Sequence, residues 1–122
     1  MRRVLPVGAD DAARSLDAGH IIPSVNPDTV ADGLLTSLGT RNFPIIQEHV
    51  AAIWTVADGA IIAAMKLVWE RMKIIIEPSA AVCPAAVFGR PAEVAGLRVG
   101  IILSGGNVDL DRLPWLETQN GG

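Results

Sequence analysis

Cysteine is almost missing from this chain. Cys83 stands alone, which excludes an intrachain disulfide and a cysteine-rich metal centre, and its ordinary reading is a small buried hydrophobe, not a catalytic thiol. Also missing is any apolar run near the roughly 18 residues of a membrane-spanning helix. Met1-Arg2-Arg3-Val4-Leu5-Pro6 opens with two basic residues but lacks the following apolar segment of about 7–15 residues that marks a secretory signal, so a cytoplasmic location and no membrane partner are expected. The ten Lys and Arg residues form no stripe, and a net charge of −3 with a pI near 5.2 leaves no electrostatic footprint for nucleic acid. His20 and His49 are the only histidines and lack a metal-type spacing. No Ser/His/Asp arrangement is recognisable, and no internal repeat occurs. The polar tail from Thr118 to Gly122 is expected to fray.

Apolar side chains, by contrast, are plentiful. Half of the 122 residues are apolar, 19% are charged and the mean hydropathy is +0.38. So small a unit with such a load is expected to bury surface against another domain or a second copy of itself. The alternative is a compact monomer with a rich core.

Asp10-Asp11 ahead of Ala12 to Leu16 predicts a short helix with its acids at the positive end, stopped by Gly19. Pro23 and Pro27 make the next stretch extended. Asp28 or Asp32 starts a helix through Leu38, ended by Gly39, and Pro44 fits the first turn of a helix over Ile45–Ala52. Ile53–Val56 is of strand-forming type. Ile61, Met65, Val68 and Met72 recur in steps of four, three and four, predicting about four helical turns from Asp58 as the N-cap, with Lys66 and Glu70 on the solvated face. Pro78 opens a further helix to Phe88, closed by Gly89, in which Pro84 predicts a bend or break. Arg90 to Gly96 reads as a surface connection. Arg98–Leu103 reads as the best strand, covered on both faces as in a parallel sheet. With a possible strand at Arg2–Leu5, the class is α/β: a partial three-layer sheet with flanking helices. Such a small sheet leaves open edges, so the chain reads as a piece of a larger domain.

The run Leu103-Ser104-Gly105-Gly106-Asn107-Val108-Asp109-Leu110 carries the functional signal. A strand opening into Ser-Gly-Gly puts a hydroxyl and close-approaching backbone at the strand's carboxyl end, where open α/β sheets bind ligands. Three further segments accompany it in order: Thr29-Val30-Ala31-Asp32-Gly33, Phe43-Pro44-Ile45-Ile46, and Leu67-Val68-Trp69-Glu70-Arg71-Met72-Lys73 leading into Ile76-Glu77-Pro78-Ser79. Together they resemble the C-terminal part of the fold-type II pyridoxal-phosphate enzymes (tryptophan synthase β-like architecture), in particular serine racemases, serine/threonine dehydratases and 3-hydroxyaspartate dehydratases. The resemblance runs from about Ala9 to Trp115.

The resemblance implies that Ser104 faces the pyridine nitrogen of pyridoxal phosphate, that Gly105 and Gly106 let the loop pass close to the ring, and that Asp32, Gly33 and Glu77 lie around the cofactor. It matches Lys73 and Asn107 to positions that contact a nucleotide effector at the subunit interface. Ala9 and Asp11 match a site for Mg²⁺ or Ca²⁺, but Leu5 stands where the family has a glutamate, which removes much of the charge that holds such a cation. Asp11 then reads equally as a helix cap.

Two elements of the resemblance are lacking. The family's cofactor lysine, in a Ser-Phe-Lys segment, and its phosphate-gripping Gly-Gly-Gly-Gly loop have no counterpart, and Lys66 and Lys73 are the only lysines. No residue is therefore expected to be catalytic in the chain alone. Residues 1–122 read as a single C-terminal portion of the large cofactor-binding domain, either truncated or half of a split enzyme completed by an N-terminal chain. The other reading is a non-catalytic remnant serving as a homo-oligomeric or interaction module.

Overall fold

A computed structural model describes residues 1–117. Two strands, β1 (Arg2–Pro6) and β2 (Ala52–Val56), pair in parallel with Arg2 opposite Ala52 and Pro6 opposite Val56. A parallel pair needs a long crossover. Here it contains a 3-10 turn (Val7–Ala9), α1 (Asp11–Ala18), a second 3-10 turn (Asp32–Leu34) and α2 (Asn42–His49). After β2 come α3 (Asp58–Met72), α4 (Pro78–Phe88) and the single turns α5 (Pro91–Val94) and α6 (Pro114–Glu117). The possible strand at Arg2 is thus real and extends through Pro6. The Thr118–Gly122 tail lies outside the described residues.

The core lies where α4 packs against α3 and both strands. Ile61, Met65 and Val68 of the expected stripe are buried, facing the small side chains of Ala80, Ala81, Ala85 and Ala86. Small residues on one helix let the larger ones of its neighbour seat closely, and each large apolar side chain so buried contributes about 1.5–3 kcal/mol. Met72 is the exception: it is 58% exposed, as the last residue of α3. Lys66 and Glu70 form an exposed pair at 3.9 Å, as the spacing predicts. Val4 and Trp54 pack onto the same core from the sheet. The guanidinium groups of Arg2 and Arg90 stand 4.5 and 5.0 Å from the Trp54 ring centre.

Gly19 closes α1 in the left-handed conformation, φ 76°. Asp10 occupies the N-cap position, but its carboxylate accepts from Arg14 Nε at 2.8 Å instead of capping the helix. Buried Ser15 donates to the Asp11 carbonyl and accepts from the Ile22 N–H, tying the extended stretch back onto the helix.

Several expectations fail. The helix expected over Ile45–Ala52 spans Asn42–His49 instead, and Ala52 opens β2. The helix expected from Asp28 or Asp32 through Leu38 shrinks to the turn Asp32–Leu34, because glycines and hydroxyl residues nucleate helices poorly and the Ser37 hydroxyl instead accepts from the Ser24 N–H. Asp58 is not the N-cap of α3: Ala57 holds that position and Asp58 is the first helical residue, its carboxylate engaged elsewhere. Pro84 does not break α4, which runs unbroken from Pro78 to Phe88. Burial of Pro84 and its alanine neighbours against the core offsets the roughly 3 kcal/mol that an interior proline costs. Finally, Arg98–Leu103 is not a paired strand and belongs to no helix or strand. Residues 98–102 are exposed, with Ile102 at 82%, and their backbone forms no hydrogen bond to other backbone among the described residues. An apolar strand needs neighbours on both edges and both faces, and the described two-stranded sheet supplies none at this place.

Candidate functional site

The start of α4 is where the sequence-predicted residues meet. Glu77 precedes Pro78 in extended conformation, and its carbonyl accepts from the Ala80 and Ala81 N–H groups, opening the helix. Its own N–H donates to the carbonyl of Gly105 at 3.0 Å. That bond seats the Ser104–Gly106 loop on the Ile75–Glu77 backbone so closely that a Cβ on Gly105 would run into the Glu77 carboxylate, and one on Gly106 would stand 2.8 Å from the Ile75 carbonyl oxygen. Close approach to backbone requires a glycine at 106, whereas at 105 a Cβ would meet only the end of the Glu77 side chain. Ser104 at the head of the loop is exposed.

At the second residue of α4, Ser79 Oγ accepts from the Gly33 N–H at 3.0 Å, and a Cβ on Gly33 would sit 2.8 Å from that hydroxyl. Asp32 and Gly33 thereby come to the same helix start as Glu77 and Gly105. The preceding residues are fixed from another side: Thr29 Oγ1 donates to Asp58 Oδ1 at 2.6 Å, the Val30 N–H donates to Asp58 Oδ2 at 2.9 Å, and the Ala31 N–H donates to Thr29 Oγ1. Between these supports Asp32 lines a cleft of about 350 Å³ with Val30, Met65, Pro78, Asn107 and Asp109. The cleft brings Asp32 and Asn107 together. It does not include Lys73, which ends α3 in the left-handed conformation at φ 59° and is exposed.

Sequence reasoning missed Asp58, Thr29 and the supporting role of Ser79. Thr29 and Asp58 lie 29 residues apart and Gly33 and Ser79 lie 46 apart, so no local pattern signals either pair.

The remaining candidates lie elsewhere. Ala9 and Asp11 are both buried, and Asp11 Oδ2 has no hydrogen-bond partner. Burial pushes the Asp11 carboxyl above the usual carboxylate range. Among the described residues no group of three or more His, Cys, Asp or Glu side chains is placed to hold a metal ion. One carboxylate is far from the several hard oxygens that Mg²⁺ or Ca²⁺ requires, so the residues present do not fit the cation. His20 and His49 are exposed. Cys83 is half-buried, and burial pushes its thiol up, away from the reactive thiolate.

Comparison with known proteins decides what this arrangement belongs to. A family model described as pyridoxal-phosphate dependent enzyme matches residues 3–105. The chain belongs to that family. It is 50% identical over 110 residues to a beta-hydroxyaspartate dehydratase of Paracoccus denitrificans, covering 90% of this chain and 35% of the relative. A serine racemase of Dictyostelium discoideum is 50% identical over 114 residues, covering 88% of this chain and 35% of the relative. Among solved structures, maize serine racemase superposes with a TM-score of 0.85 at 38% identity, over 98% of this chain and 37% of the other. The chain therefore spans about a third of the length of the relatives it matches, and its helices and strands adopt the fold-type II arrangement of those enzymes.

The Ser104 hydroxyl, the glycine backbone at 105 and 106 and the Glu77 carboxylate lie at the α4 start. Neither lysine stands among them. Lys66 pairs with Glu70 on the outer face of α3, and Lys73 lies at that helix's end.

Proposed function

We propose that this chain is the C-terminal portion of a pyridoxal-phosphate-dependent dehydratase or racemase acting on hydroxy-amino acids, cytoplasmic, and inactive until a complementary N-terminal portion completes the site. The observation that carries this reading is the convergence of Ser104–Gly106, Asp32–Gly33 and Glu77 on the start of α4 with no lysine beside them. When bound, pyridoxal phosphate supplies the electron sink that loosens bonds at the amino acid α-carbon. Ser104 would meet the pyridine nitrogen as a neutral partner and so impose no positive charge on it. Gly105 and Gly106 would admit the ring edge, while Asp32, Gly33 and Glu77 form the surrounding wall. The lysine that moves the α-proton and the donors that grip the phosphate come from the complementary portion.

The exposed 98–102 segment supports the same reading. Val99, Ile101 and Ile102 are exposed, as are Ile74 and Ile75, and a segment of unpaired backbone with apolar side chains is a place to which a strand can add. It also supports a second reading, a homo-oligomer that uses this edge without catalysis.

The deciding experiment combines this chain with an N-terminal portion taken from the Paracoccus dehydratase. Appearance of the cofactor's visible absorbance band and ammonia release from 3-hydroxyaspartate or serine is the expected result. A stable complex showing neither would sink the proposal, and a cofactor-free dimer of the chain alone would favour the second reading.

A further inference from the structure

We propose that Asp58 and Ser79 are positioning residues for the cofactor site, acting through the Thr29–Gly33 segment; the inference rests on the functional reading above. Residues 29–33 belong to no long element, yet every turn of the segment is pinned from outside. The Asp28 N–H donates to the Gly8 carbonyl at 3.0 Å, so closely that Gly8 has no room for a Cβ. Both oxygens of Asp58 are then used, one on the Thr29 hydroxyl and one on the Val30 N–H. Ala31 is fully buried in the core, and Ser79 takes the Gly33 N–H. Asp32 and Gly33 are the exposed residues of the segment; Asp32 lies between Ala31 and Gly33, both fixed, and lines the cleft.

The supports come from the first turns of α3 and α4, the two helices that form the rigid core. Asp58 forgoes no cap of its own helix to do this, because Ala57 holds the N-cap position and its carbonyl accepts from the Ala60 and Ile61 N–H groups. A charged acceptor using both oxygens on one turn fixes its distance and its rotation at once. Ser79 in turn stands two residues from Glu77, whose N–H holds Gly105. The two walls of the cofactor site are thus referenced to one helix start, and Asp58 locks the remaining degree of freedom of one wall.

The test uses the two-part assembly of this chain with its complementary portion, carrying Asp58→Asn, Thr29→Val or Thr29→Ser in this chain. Asp58→Asn and Thr29→Val are expected to weaken retention of pyridoxal phosphate about tenfold or more, as loss of a charge-assisted bond implies, and to speed amide exchange at Val30 and Gly33. Thr29→Ser keeps the hydroxyl and restores both. Ile61→Val, which lowers stability without touching the segment, leaves cofactor retention unchanged. A cofactor band whose affinity ignores Asp58→Asn and Thr29→Val, or which Thr29→Ser fails to restore, overturns this inference alone. Absence of the band in the unsubstituted assembly overturns the functional reading and this inference with it.

Discussion

Glu77 and Gly105 are joined backbone to backbone at 3.0 Å, and the Glu77 side chain fills the space where a Cβ of residue 105 would stand. The two residues are 28 apart in sequence, and a side chain at 105 displaces the Glu77 carboxylate. Because that carboxylate is the end of a flexible side chain, Gly105→Ala is expected to cost only about 0.5 kcal/mol. Glu77→Ala removes the obstructing carboxylate, so the double variant should recover most of that loss. Urea unfolding of the wild type, both single variants and the double variant measures the coupling, and additive losses would show that the two side-chain positions do not compete.

Ile102 is expected to matter for assembly and not for folding of the chain itself. At 82% exposure it buries almost nothing, and substitutions at such positions usually change stability by less than about 0.5 kcal/mol. Ile102→Lys should leave the melting temperature in place, lower self-association in light scattering, and prevent the complementary portion from binding. Undiminished binding by the lysine variant would place the partner elsewhere.

The contrast between α3 and residues 98–103 shows what this sequence discloses. Ile61, Met65 and Val68 repeat at helical spacing and face neighbours that the chain itself supplies, so their burial follows from the pattern. Val99, Ile101 and Ile102 carry an equally apolar pattern, but a strand exists only when another strand accepts its hydrogen bonds, and none does so among the described residues. The glycines at 105 and 106 are legible because close approach leaves a residue type behind, whereas Gly33 enters only through the family resemblance. Asp58 was not, since an aspartate before an apolar helical run reads as a cap and its partners, Thr29 and Val30, are brought to it only by the fold. The same holds for Pro84, whose helix survives through burial that the local sequence does not express.

Asp11 makes stability depend on pH in the direction opposite to a salt-bridged carboxylate. Burial raises its folded-state pKa above the ordinary 3.8, so the native chain holds this proton more tightly than the unfolded chain does. Stability from this group is greatest below the unfolded value, falls as pH rises through the folded value, and is level above it. Asp11→Asn abolishes the titration and is expected to flatten that fall. Melting temperatures of the two proteins from acid to neutral pH should converge at the acid end, and curves that stay parallel would contradict the assignment.

Divalent cations give the last expectation. Asp11 is a single buried carboxylate beside Ala9, and the residue that the family resemblance would make a glutamate is Leu5, half-buried on β1 opposite Thr55. One negative charge and scattered carbonyls hold Mg²⁺ or Ca²⁺ weakly, because affinity follows the number of charged oxygens that replace the ion's water. Magnesium, calcium or a chelator should therefore leave the melting temperature of the wild type unmoved. Leu5→Glu adds the second carboxylate at the end of the same strand that leads into Ala9 and Asp11, and it is expected to create a cation-dependent rise in melting temperature that Asp11→Asn abolishes. Binding stabilises only the state that binds, so the rise should grow with the logarithm of cation concentration. A saturable response of the wild type, lost in Asp11→Asn, would mean that the single carboxylate suffices.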